Sequence, residues 1–187
     1  MAHHEKAETT VDRVRYELPE EQVDATILKD LAEAGPDRPA ATRLFRPSAD
    51  DDQNRIAEKE VRLRVYLREP RALSDLLPIL QNLGLHVVDQ IPYDVHTKDG
   101  ATFALYDFGV VFPDGVDVDE VLPLAEDALC AVLAGRAEPG AANRLVLYES
   151  LPWRTVAVLR AYCRYLLQLG TEYSRPFMAD TLVQNSL

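Results

Sequence analysis

Cysteine is nearly absent from this chain, glycine is sparse, and no apolar run is long enough to cross a bilayer. The two cysteines, Cys130 and Cys163, lie far apart in helical patterns. They read as two buried thiols in a reducing cytoplasm, not as a disulfide framework. The eight glycines form no G-x-G-x-x-G and no P-loop, so a local fingerprint for a dinucleotide or a nucleoside triphosphate is missing. The opening MAHHEKAE lacks the apolar core of a signal peptide, and His3 and His4 are kept out of site arguments. A spanning helix needs about 20 consecutive apolar residues, so no membrane partner is expected. Positive charge is scarce too. Twenty Lys and Arg against 31 Asp and Glu leave a net charge of −11, without the basic stripe that neutralises phosphates, and no nucleic-acid partner is expected.

What remains is an ordinary globular composition, 47% hydrophobic and 27% charged over 187 residues. That length holds one domain with a sizeable core, or one domain plus a helical appendage. Residues 1–18 are polar and expected to be flexible. From Pro19, PEEQVDATILKDLAEAG places Val23, Ile27, Leu28 and Leu31 at helical spacing, with Gly35 as a stop. A short strand follows at Thr42–Arg46, and the acidic run SADDDQNR reads as a solvated hairpin loop, since adjacent Asp side chains diverge. EVRLRVYL (Glu60–Leu67) alternates strictly and reads as a half-buried strand.

The next helix is expected to start with Ser74 as its cap and Asp75 at its positive end, with Pro78 in about its first turn. Leu76, Leu77, Leu80 and Leu83 form its buried stripe. Gly84 stops it, because a left-handed C-terminal residue is cheapest as glycine. LHVVDQIPYDVH then reads as a strand in which Pro92 implies a bulge or an edge. KDG (Lys98–Gly100) is a hairpin turn, ATFALYDFGVVF its partner strand, and Val118–Leu133 an amphipathic helix. The order β-β-α-β-β-α predicts an α+β fold. It is a ferredoxin-like, four-stranded antiparallel sheet with two covering helices, in which the first strand fills the place of the missing last one. A helical C-terminal segment follows. Its helix Trp153–Leu169 is apolar on most sides and needs partners on several of them.

Catalytic chemistry does not emerge from these residues. His86 and His96 lack companions for a metal site, and no serine stands in a nucleophile elbow. Tyr106–Asp107 reads as an aromatic and an outward acid on a half-exposed strand. Arg160, Tyr162, Arg164 and Tyr165 form a polar-aromatic patch that, with Trp153, is a candidate interface. No catalytic, cofactor-binding or metal residue is assigned.

Three stretches carry a resemblance: LSDLLPILQNLGLHVVDQIPYDV, FALYDFGV and NRLVLYESLPWRTVAVLRAYCRYLLQLGTEYS. They resemble the region ahead of the catalytic domain in large bacterial NAD-dependent glutamate dehydrogenases, which carry ACT-like modules and helical motifs there. Leu73, Ser74, Asp75, Pro78, Asn82, Leu83, Gly84, Pro92 and Tyr93 match the first pattern. Asn143, Leu145, Trp153, Arg154, Arg160, Tyr162, Tyr165 and Gln168 are among the matches to the last. Cys163 and Arg164 depart from it, at packing and surface positions.

The resemblance implies a flexible start (1–18), an ACT-like domain (19–136, with a leading helix at 20–34) and a helical segment (141–187) leading towards a catalytic domain. It implies a non-catalytic regulatory or scaffold piece of an enzyme that deaminates L-glutamate with NAD, with no cofactor in this segment. The expected partners are the remainder of the parent chain, further copies in a homo-oligomer, and an amino-acid effector. The candidate effector loop is Arg68 to Asp75, with Arg68, Ser74 and Asp75 in reach of a carboxylate. The alternative is a stand-alone amino-acid-binding ACT-like module.

Overall fold

In the chain's computed structural model, residues 21–46, 60–97 and 100–185 are described. The expected flexible segment 1–18, the SADDDQNR loop and the Lys98–Asp99 part of the turn lie outside them. Alternation of Val61, Leu63, Val65 and Leu67 with Arg62, Arg64 and Tyr66 builds β2 (Glu60–Leu67), a central strand. It pairs antiparallel with β1 (Ala40–Phe45) on one side and β4 (Thr102–Val111) on the other. β3 (His86–His96) completes the order β1-β2-β4-β3, so β1 does occupy the edge beside β2.

Two helices cover the front face, α2 (Leu73–Leu83) and α3 (Val118–Leu133). Leu76, Leu80, Val121, Ala125 and Leu129 meet Val61, Leu63, Val65, Phe108 and Val110 there. Each large apolar side chain so buried contributes about 1.5–3 kcal/mol. The back face is covered as well. Helix α1 (Glu21–Ala34) lays Leu28 and Leu31 against Ala41, Tyr66, Tyr93, Val95, Phe103 and Leu105. β2 is therefore buried on both faces from Val61 to Leu67, which corrects its reading as half-buried.

The back-face stripe of α1 is also rotated from the expected one. Val23 is 43% exposed, while Asp24 is 3% exposed and points at the sheet with Leu28 and Leu31. Asp24 has ionic partners beneath it and Val23 has none, and that decides the rotation.

Two local expectations change at α2, while the edge position expected of Pro92 in β3 is what the structure has. Ala72, not Ser74, is the N-cap of α2, and no side chain caps it. Ser74 Oγ instead lies 3.5 Å from Asp75 Oδ1 on the exposed surface. Pro78 falls inside the helix, in its second turn. In β3 the irregularity is at Val88, between Val87 and Asp89, while Pro92 is an edge-strand residue. Gly84 behaves as expected. Its φ is +103°, and Leu85 N–H reaches back to Leu80 O at 3.1 Å, closing a Schellman turn that sends the chain straight into β3.

After α3 a 3₁₀ turn (Ala141–Arg144) leads into α4 (Leu145–Tyr148), α5 (Trp153–Gln168) and α6 (Arg175–Gln184). Leu145, Val146, Leu147 and Val156 are buried in the same core as the front of the sheet. The helical segment thus shares one core with the α+β domain. Among the described residues, no helix is long and apolar enough to cross a membrane.

Candidate functional site

The polar side chains gather in three places. The first is the β2–α2 loop. Arg68, a candidate effector residue, sends its guanidinium to α1: Nη2 donates to Leu31 O and, at 3.1 Å, to Ala32 O, and Nε donates to Arg38 O at 3.3 Å. A cation there satisfies the orphan carbonyls of a helix C-terminus and complements its dipole. Arg68 is thereby turned away from the exposed Ser74 and Asp75 at the start of α2. The loop is pinned from the other side by Arg71. Its Nη2 donates to Leu133 O at 3.0 Å, at the end of α3, and its carbonyl accepts from Tyr106 Oη at 2.7 Å.

The second place is α5, whose candidate interface residues divide between two faces. Arg160 faces inward, donating from Nη1 to Glu138 O (2.8 Å) and from Nη2 to Asn143 Oδ1 (2.7 Å) and Gly140 O (3.4 Å). Burial lowers its pKa, and the Glu138 carboxylate works against that. Arg164 pairs with the Glu138 carboxylate, 2.6 Å from Oε2. Trp153 Nε1 donates to Asp127 Oδ2 at 2.9 Å, and Arg154 stacks over the Trp153 ring at 4.5 Å. Tyr162 and Tyr165 are exposed on the outer side. Arg160, Arg164 and Trp153 thus fasten α5 to α3 and the loop after it, while the tyrosines face away.

The third place is assembled across strands and α1, from residues far apart in the sequence. On the back face, Arg62 lies 2.7 Å from Asp107 Oδ1 and 2.8 Å from Asp89 Oδ1. Arg64 bridges Asp107, at 3.2 Å, and Asp24. Tyr66 Oη donates to Asp24, and the Arg43 and Arg64 guanidiniums stack on Phe45 at 4.5 and 4.9 Å. Burial raises the Asp24 pKa, against the pull of Tyr66, Arg64 and Arg43, and burial beside Asp24 raises that of Tyr66. Asp107 is therefore a buried ion-pair member, not an outward acid. Gly109 makes room for the arrangement, since a Cβ there would lie 2.9 Å from Asp89 Oδ2. The Val88 bulge sets Asp89 opposite Gly109, whose N–H donates to it at 3.1 Å. The only signal in the sequence was that Arg62, Arg64 and Asp107 sit at alternating strand positions.

Among the described residues there is no group of three His, Cys, Asp or Glu placed to hold a metal ion. His96 Nδ1 contacts Thr102 Oγ1 at 3.1 Å. Cys130 and Cys163 are free and part-exposed, not buried as expected, with Cys130 Sγ 3.1 Å from Thr42 Oγ1.

The fold and these contacts define the class: an ACT domain continued, through a shared core, into a helical motif. A family model described as glutamate dehydrogenase, ACT3 domain, matches residues 39–121, and one described as glutamate dehydrogenase, helical motif 3, matches residues 137–187. The NAD-specific glutamate dehydrogenase of Pseudomonas aeruginosa is 37% identical over 158 residues, 83% of this chain and 9% of that protein. That of Halomonas elongata is 34% identical over the same share. That of Mycobacterium tuberculosis is 35% identical over 118 residues, 59% of this chain and 7% of that protein. The chain belongs to the large NAD-specific glutamate dehydrogenase family and carries its ACT3 domain and helical motif 3. It spans less than a tenth of the length of these relatives. Helix α1 precedes the matched ACT span.

Proposed function

We propose that this chain is a non-catalytic regulatory and scaffold segment of a large, oligomeric, cytoplasmic glutamate dehydrogenase. The parent reaction is the oxidative deamination of L-glutamate to 2-oxoglutarate and ammonia, with NAD accepting the hydride, a step of amino-acid catabolism. The observation that carries this reading is the fastening of α5. Its inner face is locked by Arg160 onto Glu138, Gly140 and Asn143, while its outer face stays apolar and uncovered. A helix held so firmly on one side and left greasy on the other is built to position something else.

The segment acts by posture. Arg71 joins the β2–α2 loop to the last turn of α3, and Arg160 joins the stretch after α3 to α5. Movement of the loop is thereby passed to the helix. The start of α2 has no side-chain cap, and its Leu73 and Ser74 amides are offered to the carboxylate of an amino-acid effector, the Asp75 amide being taken by Ala72 O at 3.0 Å.

The test is NADH formation from glutamate by the complete dehydrogenase that contains this chain. Arg160→Ala is expected to lower activity and loosen assembly, while the 187-residue chain alone gives no turnover. Turnover by the chain alone, or an Arg160→Ala enzyme indistinguishable from the parent, overturns the reading. An amino-acid effector at 100 times its Kd is expected to stabilise the chain by about 2.7 kcal/mol in a thermal-shift assay.

A further inference from the structure

The outer face of α5 carries Val158, Tyr162, Tyr165, Leu166 and Leu169, all between 44% and 65% exposed. Their spacing of i, i+4, i+7, i+8 and i+11 makes one continuous stripe at 100° per residue. The stripe lies opposite Val156, the residue of α5 that is buried in the core. It contains no acid. Arg154 stands at its N-terminal end, and Glu172 with the stacked pair Tyr173–Phe177 lies beyond its C-terminal end.

We propose that this stripe seats a second copy of the chain, with the two α5 helices antiparallel about a two-fold axis between Tyr162 and Tyr165. The proposal deepens the oligomer named above by identifying the surface on which copies meet. The stripe is centred so that antiparallel pairing sets Val158 against Leu169 of the second copy and Tyr162 against Tyr165. It also brings Arg154, which in its own copy lies over the Trp153 ring and 3.7 Å from Asp127 Oδ2 with its side chain still 68% exposed, towards Glu172 and the face of Tyr173 of the second copy, adding a charge and cation–π contact at both ends. A parallel copy would set Arg154 against Arg154.

Size and sheet geometry favour the same surface. Tyr162, Tyr165, Tyr173 and Phe177 are each more than half exposed, and an aromatic side chain buries about 150–250 Å² when covered. With Val158, Leu166 and Leu169 the patch is on the order of the ~800 Å² per partner of a specific interface. Both edges of the sheet are blunted as docking routes. On β1 the Leu44 N–H is taken by the Glu126 carboxylate of α3, and β3 is broken by the Val88 bulge and Pro92.

Sedimentation equilibrium of the 187-residue chain tests the proposal directly. A dimer is expected, with a Kd about tenfold weaker or more in Tyr162→Ala/Leu166→Ala. Arg154→Glu and Glu172→Arg are each expected to weaken it, and their combination to restore it. Register is read in a Cys130→Ser/Cys163→Ala background carrying Val158→Cys and Leu169→Cys. Positions 158 and 169 are about 16 Å apart along one helix, too far for an internal disulfide. Oxidation is therefore expected to give covalent dimers whose peptides join position 158 to position 169. A monomer, a dimer indifferent to these substitutions, or peptides joining 158 to 158 overturns the proposal. A stripe occupied only by another part of the complete dehydrogenase gives the monomer result while leaving glutamate-dependent NADH formation, and the proposed function, intact.

Discussion

Asp24 is the residue on which the back face of the sheet turns. It accepts from Arg64 and Tyr66 and lies 3.6 Å from Arg43, yet burial dominates and raises its pKa. The folded protein therefore holds this proton more tightly than the unfolded chain. Over the window above the ordinary aspartate value of 3.8 it binds more protons, and stability falls as pH rises through the raised pKa. Asp24→Asn, which keeps an oxygen for Tyr66 and Arg64, is expected to stay within about 1 kcal/mol of the parent at pH 7 and to lose that fall. Asp24→Ala strips the oxygens away, leaves Arg64 and Tyr66 without an acceptor from α1, and is expected to cost about 3–5 kcal/mol. Urea denaturation of the three proteins between pH 4 and 7 checks both the ranking and the slope. Glu126 has the same sign, its pKa raised by burial against the Leu44 amide.

At the scale of elements, two turns make opposite demands on one region of φ. Gly84, at φ +103°, ends α2. A Cβ there would meet Tyr148, Leu147 and Pro113 at 3.5–3.7 Å, which is ordinary contact. The cost of Gly84→Ala is therefore backbone strain and is expected to be about 1–2 kcal/mol. Ser150, at φ +49°, follows α4 and is the described non-glycine residue with positive φ. Ser150→Gly is expected to relieve strain and stabilise by about 0.5–1 kcal/mol. Opposite shifts in the urea midpoint with unchanged m-values are the expected readout.

Element boundaries here were largely legible because their causes are local. The alternation of β2, the stripe of α3 and the stop at Gly84 are written within a few residues, and Glu60–Leu67 and Val118–Leu133 fall where periodicity places them. Ser74 misled for an equally physical reason. A serine before an apolar run resembles a cap, but the helix starts two residues sooner, at Leu73, and takes Ala72 as its N-cap.

For the whole molecule, the shared core predicts cooperative unfolding. Leu147, 1% exposed, packs into the same cluster as Leu63 and Phe108. Leu147→Ala is expected to cost about 2–5 kcal/mol. Fluorescence of Trp153, the single tryptophan, reports on α5, while hydrogen exchange in β2 reports on the sheet. Their transitions are expected to coincide in the parent and in the variant. Arg160→Ala acts differently, removing donors to Glu138 O, Gly140 O and Asn143 Oδ1. It is expected to speed exchange in α5 by about tenfold or more while β2 is unchanged, and Arg160→Lys, lacking the planar fork, is not expected to rescue it.

The sequence by itself determined the element order, the α+β class and the family resemblance, since periodicity, glycine stops and motif order are properties of neighbouring residues. Tertiary structure alone decided that α1 closes the back of the sheet, that Arg62 and Arg64 are buried ions, and that Arg160 points inward while Tyr162 points out. Each of these depends on strand register or helix rotation, which bring together groups dozens of residues apart, as Arg62 and Arg64 are from Asp107 and Asp24. An arginine alternating with valine looks the same whether water or a carboxylate waits across the sheet.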